Sequence, residues 1–122
     1  MKAPDIRGQQ GPERIIQNAI IEYLRAREWF VKETHGNMYQ NGLPDLFCTH
    51  RRYGQRWVEV KNPEKYSFTP AQLETFPLMV ANGAGVWILV AATDAEYEKL
   101  ICQPCNWYWY LMMINTRGCK ES

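Results

Sequence analysis

The apolar residues of this chain recur with a helical period in its first part. From Glu13 onward they fall three or four positions apart, which predicts an amphipathic helix over about residues 13–28. Residues 1–12 are polar, with Gly and Pro, and are predicted to form a flexible arm. A short aromatic and β-branched stretch over residues 30–34 then predicts the first strand.

The centre of the chain predicts a β-hairpin followed by a second helix. Strands are expected over residues 45–49 and 56–61, joined by a turn over residues 50–55. Thr69-Pro70-Ala71-Gln72 combines an N-cap Thr, a Pro at the first helical position and a Gln that completes a capping box. This second helix should run to about residue 81.

The remaining elements are predicted as a buried strand over residues 85–92, a short helix over 95–102 and a last strand or extended aromatic segment over 106–114. A strand, a helix and a strand in succession require a crossover, which favours parallel pairing between those two strands. The expected fold is therefore α/β, a mixed sheet flanked by helices in the order α-β-β-β-α-β, with a further α and β at the C-terminus.

Composition limits the class of protein. The 122 residues fit one domain, expected over residues 13–122, and 46% are hydrophobic and 22% charged, as in soluble globular proteins. A formal net charge of +1 excludes a protein that binds its partner through overall charge alone, but it permits a local basic patch. No apolar run is long enough to span a bilayer or act as a secretory signal, so we expect a cytoplasmic protein with no membrane partner.

The most informative residues lie on the predicted hairpin. Glu59 and Lys61 are two apart on a strand, so their side chains leave the same face. If the turn has an odd number of residues, Asp45 lies directly or diagonally opposite them on that face. Two carboxylates and an ammonium then share one patch, which suits Mg²⁺ and a phosphate. The alternative is an ordinary surface ion pair between Glu59 and Lys61.

These motifs resemble the PD-(D/E)xK nuclease signature, and more closely its VRR-NUC (virus-type replication-repair nuclease) branch. Four separated segments occur in the expected order: residues 13–17, which open the first helix; Gly42-Leu43-Pro44-Asp45-Leu46; Glu59-Val60-Lys61; and Phe68-Thr69-Pro70-Ala71-Gln72. The resemblance covers roughly residues 13–92 and implies a restriction-endonuclease-like fold.

The resemblance also implies a role for each matching residue. It implies that the cation ligands are the side chains of Asp45 and Glu59 and the main-chain carbonyl of Val60. It implies that Lys61 is the catalytic lysine. Glu13 would support the cation or its water, and Gln72 would point into the site. Two simpler alternatives stay open. Glu13 could only complement the helix dipole, and Gln72 could only serve the capping box. A Gln72 side chain folded back onto Thr69 is not expected to reach a cation as well.

Several residues are candidates for contacting nucleic acid. Residues 51–65 hold the clearest basic cluster, from which Arg51, Arg52, Arg56 and Lys65 are expected to contact phosphates. His35 and Asn37 precede the Gly-x-Pro-Asp motif in a loop expected to overhang the site. For Arg51 and Arg52 the alternative is a solvated hairpin tip.

Two further features of the C-terminal part invite functional hypotheses. Residues 107–114 hold more aromatic rings than a small core needs, so one face should either join a second copy, which we favour, or stack unpaired bases. Cys102-x-x-Cys105 could bind zinc or act in redox chemistry, but only Cys119 lies downstream as a further ligand. The zinc hypothesis predicts stoichiometric zinc in the purified chain.

The function predicted from these features is metal-dependent hydrolysis of DNA phosphodiester bonds with Mg²⁺ or Mn²⁺. By the resemblance, the enzyme is expected to be a homodimer that acts on structured or branched DNA such as Holliday junctions, in a bacterium or a phage-infected cell. The alternative is a catalytically silent DNA-binding module of the same fold.

Overall fold

The computed structural model of the protein describes residues 11–34 and 41–113. In chain order its elements are α1 (Pro12–Arg25), β1 (Phe30–Glu33), β2 (Leu46–His50), β3 (Gly54–Val60), α2 (Pro70–Ala81), β4 (Val86–Leu89), α3 (Asp94–Cys102) and a further helical segment, α4, over residues 107–113. None of the helices in these two ranges is both long and apolar enough to cross a membrane.

The sheet has four strands in the order β1-β2-β3-β4. β1 pairs with β2 and β2 with β3 in antiparallel fashion, whereas β3 and β4 are parallel. Since α2 is the element between β3 and β4, it provides the crossover that parallel pairing needs. The mixed sheet predicted from the sequence is confirmed.

Helices cover both faces of this sheet. On one face α1 and α3 pack through Ile20, Leu24 and Leu100 against strand residues that include Val58. On the other face Phe76 of α2 and Trp107 of α4 pack against β4. Glu59 and Lys61 alternate with the apolar Val58 and Val60, so they lie on the face that α2 covers.

The hairpin turn between β2 and β3 sets the register of the site. His50 pairs with Gly54, which leaves the three residues 51–53 in the turn. This odd number satisfies the condition stated for the sequence. Leu46 pairs with Val58. One position further from the turn, Asp45 therefore lies directly opposite Glu59.

A close approach of two backbones fixes the loop before β2 against α2. Gly42 has φ +92°, and a Cβ atom there would lie 2.8 Å from Thr75 Oγ1 and 3.0 Å from the carbonyl oxygen of Ala71. Only glycine combines that backbone conformation with so little space. The glycine of the Gly-x-Pro-Asp motif therefore lets the segment that leads to Asp45 lie directly on α2.

The free edge of β4 is covered by a side chain. The Asn106 amide accepts a hydrogen bond from the Ile88 N–H over 2.7 Å and donates one to the Ile88 carbonyl over 3.3 Å. These are the two groups that a fifth strand would use. The side chain therefore stands in for a neighbouring strand at this position.

The structure corrects one predicted element and both ends of the first helix. The last strand predicted over residues 106–114 is wrong, because residues 107–113 are helical. Trp107 and Tyr110 are three positions apart and both pack into the core, so burial of one helical face outweighs the strand preference of Trp and Tyr. The first helix begins at Pro12, the last residue of the predicted arm, and ends at Arg25, three residues before its predicted end. Residues 1–10 of that arm lie outside the described ranges.

Candidate functional site

Asp45 and Glu59 form the centre of the candidate site, and each is held by the backbone of the other strand. The N–H of Asp45 donates to Glu59 Oε1 over 3.1 Å, and the N–H of Val60 donates to Asp45 Oδ2 over 2.8 Å. Both residues are buried, with 7% and 2% of their surface exposed. The hairpin therefore fixes both carboxylates as soon as its strands pair.

Lys61 extends from the end of β3 into the same cluster. Its Nζ lies 3.1 Å from Glu59 Oε2 and donates to the Ser67 carbonyl over 2.6 Å and to Gln72 Oε1 over 3.3 Å. The ring of Phe68 lies 4.7 Å from the same nitrogen. An ammonium has three N–H donors, so Lys61 uses all of them on these neighbours.

Gln72 connects α2 to the carboxylates. Its Nε2 donates to Glu59 Oε2 over 2.7 Å, and its Oε1 accepts from the N–H of Thr69 over 3.0 Å. The Thr69 hydroxyl completes the capping box by accepting from the N–H of Gln72. The capping role and the contact with Glu59 are therefore compatible, since the two ends of one amide serve both.

Burial and charge act together on Glu59. Loss of hydration is the largest effect, the neighbouring charge of Asp45 adds to it, and Lys61 opposes both; the result raises the pKa of Glu59 to about 8. The charge of Asp45 at this distance disfavours the ionised form of Glu59. Additional positive charge between them would relieve that cost, which makes the pair a suitable place for a cation.

An open cleft of about 480 Å³ leads to this cluster. Its lining residues include Lys61, Lys65 and Glu13, which is exposed at the start of α1. Glu13 Oε2 accepts from the N–H of Asn62 over 3.4 Å, so the first helix contacts the segment that follows Lys61. The structure thus brings Glu13 to the mouth of the site.

Comparison with solved structures returns one described as "VRR_NUC domain". This chain superimposes on it with a TM-score of 0.61 and 26% sequence identity, over 75% of this chain and 96% of the other. The chain carries a VRR-NUC domain. Scans of the sequence against protein-family models and against curated proteins find no match.

The VRR-NUC domain is a nuclease-type domain, and its restriction-endonuclease-like fold is the one that the sequence resemblance implied. The resemblance is therefore confirmed. The roles assigned to individual residues stay predictions. What the structure adds is the position of each residue relative to the others.

The basic residues predicted to bind nucleic acid are not brought together in one patch. Lys65 lines the cleft, but Arg51 and Arg52 are exposed on the hairpin turn at the other end of β2, about 17 Å from Asp45. Arg56 serves the fold: its Nε donates to the Leu100 carbonyl over 2.7 Å, and its guanidinium lies over the Trp87 ring. His35 and Asn37 lie outside the described residues.

The cysteine pair near the end of α3 has no additional ligands in the described ranges. Cys102 and Cys105 are free thiols, and no group of three or more His, Cys, Asp or Glu side chains suited to a metal ion occurs in residues 11–34 and 41–113. Cys119, the third cysteine considered for zinc, lies outside these ranges.

Two contributions to the site were not assigned from the sequence. The Ser67 carbonyl is a backbone acceptor, which any residue could supply at that position. Phe68 resembles an ordinary core residue, and it does pack in the second core, yet its ring also faces the Lys61 ammonium. Both depend on how residues 62–69 cross from β3 to α2, which no local pattern predicts.

Proposed function

We propose that this VRR-NUC domain hydrolyses phosphodiester bonds of DNA with a divalent cation, Mg²⁺ or Mn²⁺. The observation that carries the proposal is the pairing of Asp45 with Glu59, together with Lys61 at 3.1 Å from the Glu59 carboxylate. Two buried carboxylates and an ammonium beside an open cleft match what phosphodiester hydrolysis requires.

The residues present fit a hard cation. Asp45 and Glu59 offer carboxylate oxygens, and the Val60 carbonyl is the third oxygen that the family resemblance implies. Mg²⁺ is commonly held by one or two carboxylates while water and substrate phosphate supply its other ligands, so two acidic side chains are sufficient. A cation held there supplies positive charge to the phosphate and acidity to the attacking water.

The neighbouring side chains have separate tasks in this proposal. Lys61 offsets negative charge that develops on the phosphate, using the N–H now directed at Glu59. Gln72 holds the Glu59 carboxylate in place through Nε2. Glu13, at the cleft mouth, supports the water that approaches the phosphate.

The substrate we propose is structured or branched DNA, handled by a homodimer. Lys65 and Lys61 line the cleft and would contact the phosphate backbone. For the dimer, α2 offers exposed apolar side chains, since Leu73 and Leu78 are 43% and 60% exposed. A symmetric dimer would present two sites to the two strands of a junction.

The test is a cleavage assay on linear, flapped and four-way DNA with Mg²⁺ or Mn²⁺ titrated from zero. We expect cleavage that requires the cation, with the branched substrates cut fastest. Lys61→Ala should reduce the rate at least about 100-fold, whereas Lys32→Ala, an exposed lysine on β1, should leave it unchanged.

Each other outcome has a distinct meaning. DNA binding without cleavage under either cation would favour the silent DNA-binding module. A Lys61→Ala variant that cuts at the normal rate would overturn the proposed role of Lys61. Equal rates on linear and branched DNA would leave the nuclease activity standing and remove the proposed preference.

A further inference from the structure

A second cavity, of about 520 Å³, lies beside the cleft. It is lined by Trp109 and Tyr110 of α4, by Lys99 of α3 and by residues 103–106. Trp109 is 57% exposed, so most of its indole is available to a ligand. The cavity lies outside the cluster of Asp45, Glu59 and Lys61 and takes no part in the chemistry proposed above.

A row of aromatic rings connects the cavity to the cleft. Tyr66 lines the cleft and Tyr110 lines the cavity, and their ring centroids are 5.7 Å apart. The Tyr66 hydroxyl also donates to the Tyr110 carbonyl over 3.3 Å. The Trp109 ring follows at 5.1 Å from that of Tyr110. A strand whose phosphate lies in the cleft therefore reaches the cavity within a few nucleotides.

The chemistry of the cavity suits a flat, uncharged ring. Lys99 is its cationic residue, but the ammonium is paired with Glu96 Oε2 at 2.8 Å and donates to the Tyr110 hydroxyl over 2.8 Å. Because Glu96 offsets that charge, the cavity has little attraction for a second phosphate. Trp109 and Pro104 offer apolar surface, and Gln103 is an exposed residue of the lining.

We propose that this cavity binds an unpaired base of the DNA strand whose phosphate occupies the cleft, with the base stacked on Trp109. The proposal rests on the proposed function and deepens it by naming the feature of the substrate that is recognised. A base in a duplex is stacked and paired, and extracting it costs a few kcal/mol, whereas a flap or a junction offers one without that cost. Stacking on Trp109 would thus favour DNA with unpaired nucleotides near the cut.

The experiment compares binding of the full chain to a forked DNA with unpaired arms and to a blunt duplex of equal length. EDTA prevents cleavage, and fluorescence anisotropy gives the affinities. We expect Trp109→Ala to weaken binding of the fork about tenfold and of the duplex about twofold or less. Trp109→Phe, which keeps a ring, should retain most of the affinity.

Tyr108→Ala is the matched control. Tyr108 is 60% exposed, precedes Trp109 on the same helix and does not line the cavity, so its removal should affect neither DNA. As a second readout, a 2-aminopurine placed in the unpaired arm should be quenched by the wild-type chain and by Tyr108→Ala but not by Trp109→Ala.

Three results would overturn the proposal. One is an equal loss of affinity for fork and duplex in Trp109→Ala. Another is an equal loss of affinity for the fork in Trp109→Ala and Tyr108→Ala. The third is a fall in oligomeric state of Trp109→Ala in sedimentation, which would assign this face to a second copy of the chain. If instead the fork preference depends on Trp109 but no DNA is cut with either cation, the base site stands and only the proposed nuclease activity fails.

Discussion

Asp45 and Glu59 are each anchored by the main chain of the strand that carries the other. The Asp45 N–H donates to Glu59, and the N–H that follows Glu59 in the chain, that of Val60, donates to Asp45. The two acids therefore close the open end of the hairpin as well as forming the site. Tests of their chemistry need substitutions that keep these acceptors.

Asp45→Asn meets that condition, because its side-chain oxygen can still accept from Val60. We expect cleavage to fall at least about 100-fold while the melting temperature in EDTA stays within a few degrees of the wild type. Asp94→Asn, at the exposed start of α3, is the control and should cut normally. Normal cleavage by Asp45→Asn would remove Asp45 from the proposed cation ligands.

The pKa of Glu59 predicts how stability depends on pH without divalent cations. The pKa of this carboxyl is about 8 in the folded chain, against an ordinary value of 4.5, so between these values the folded state binds more protons than the unfolded state. The contribution of Glu59 to the stability of the fold should therefore be complete below pH 4.5 and should decline as the pH rises towards 8. The melting temperature in EDTA should fall by several degrees over that range.

Glu59→Gln cannot titrate and provides the check on that pH dependence. We expect the melting temperature of Glu59→Gln to change little over this pH range and to exceed that of the wild type at pH 8.5. Measurements should stop there, because burial raises the pKa of the Cys48 thiol to about 12 and its ionisation on unfolding would add a separate loss at higher pH. The same slope in both proteins would show that Glu59 is not its source.

Thr69 and Gln72 allow the cap of α2 to be separated from the site. Thr69→Ala removes the hydroxyl that accepts from the N–H of Gln72 and should cost about 1 kcal/mol of stability with little change in cleavage. Gln72→Ala also removes the donor to Glu59, so it should reduce cleavage at least about tenfold at a similar cost in stability. Chemical denaturation and initial rates measure the two effects. Equal rates in the two variants would limit Gln72 to the cap.

Lys65 and Arg56 should behave differently although both belong to the basic cluster of the sequence. Lys65→Ala should weaken DNA binding and lower the dependence of log K on log salt by about one, without changing the melting temperature. Arg56→Ala should instead cost about 1–2 kcal/mol of stability, because the Leu100 carbonyl loses its partner. Binding titrations at several salt concentrations and thermal melts distinguish the two; a salt slope unchanged in Lys65→Ala would contradict its phosphate contact.

Asn106 is expected to matter for stability through the sheet edge. Asn106→Ala removes both hydrogen bonds to Ile88 and should cost about 2 kcal/mol. Asn82→Ala removes an exposed bond to the Leu78 carbonyl and should cost well under about 1 kcal/mol. Denaturant titration compares the two variants, and equal losses would show that the edge contact contributes little.

The order of elements through α3 and the centre of the site could be predicted from the sequence because they depend on short-range rules. Alternation along β3 puts Glu59 and Lys61 on one face, and an odd turn is enough to place Asp45 opposite Glu59. Both inferences need only the strand period and the hairpin register. Neither requires knowledge of what covers the sheet.

The features that sequence reasoning missed depend on tertiary contacts. Residues 107–113 have strand-forming side chains, but Trp107 and Tyr110 can enter the core together only on a helix. Arg56 looks like its basic neighbours until α3 brings the Leu100 carbonyl within reach. The double use of Gln72 likewise appears only when α2 lies across the end of β3.

Position 42 connects two parts of the molecule that are far apart in the chain. Gly42 lies against Ala71 and Thr75, and Gln72 is the neighbour of Ala71. One added methyl group would push the helix outward and carry the amide away from Glu59, even though every polar group of the cluster remained intact. Activity could thus be lost, or tuned, by a substitution that removes no functional atom.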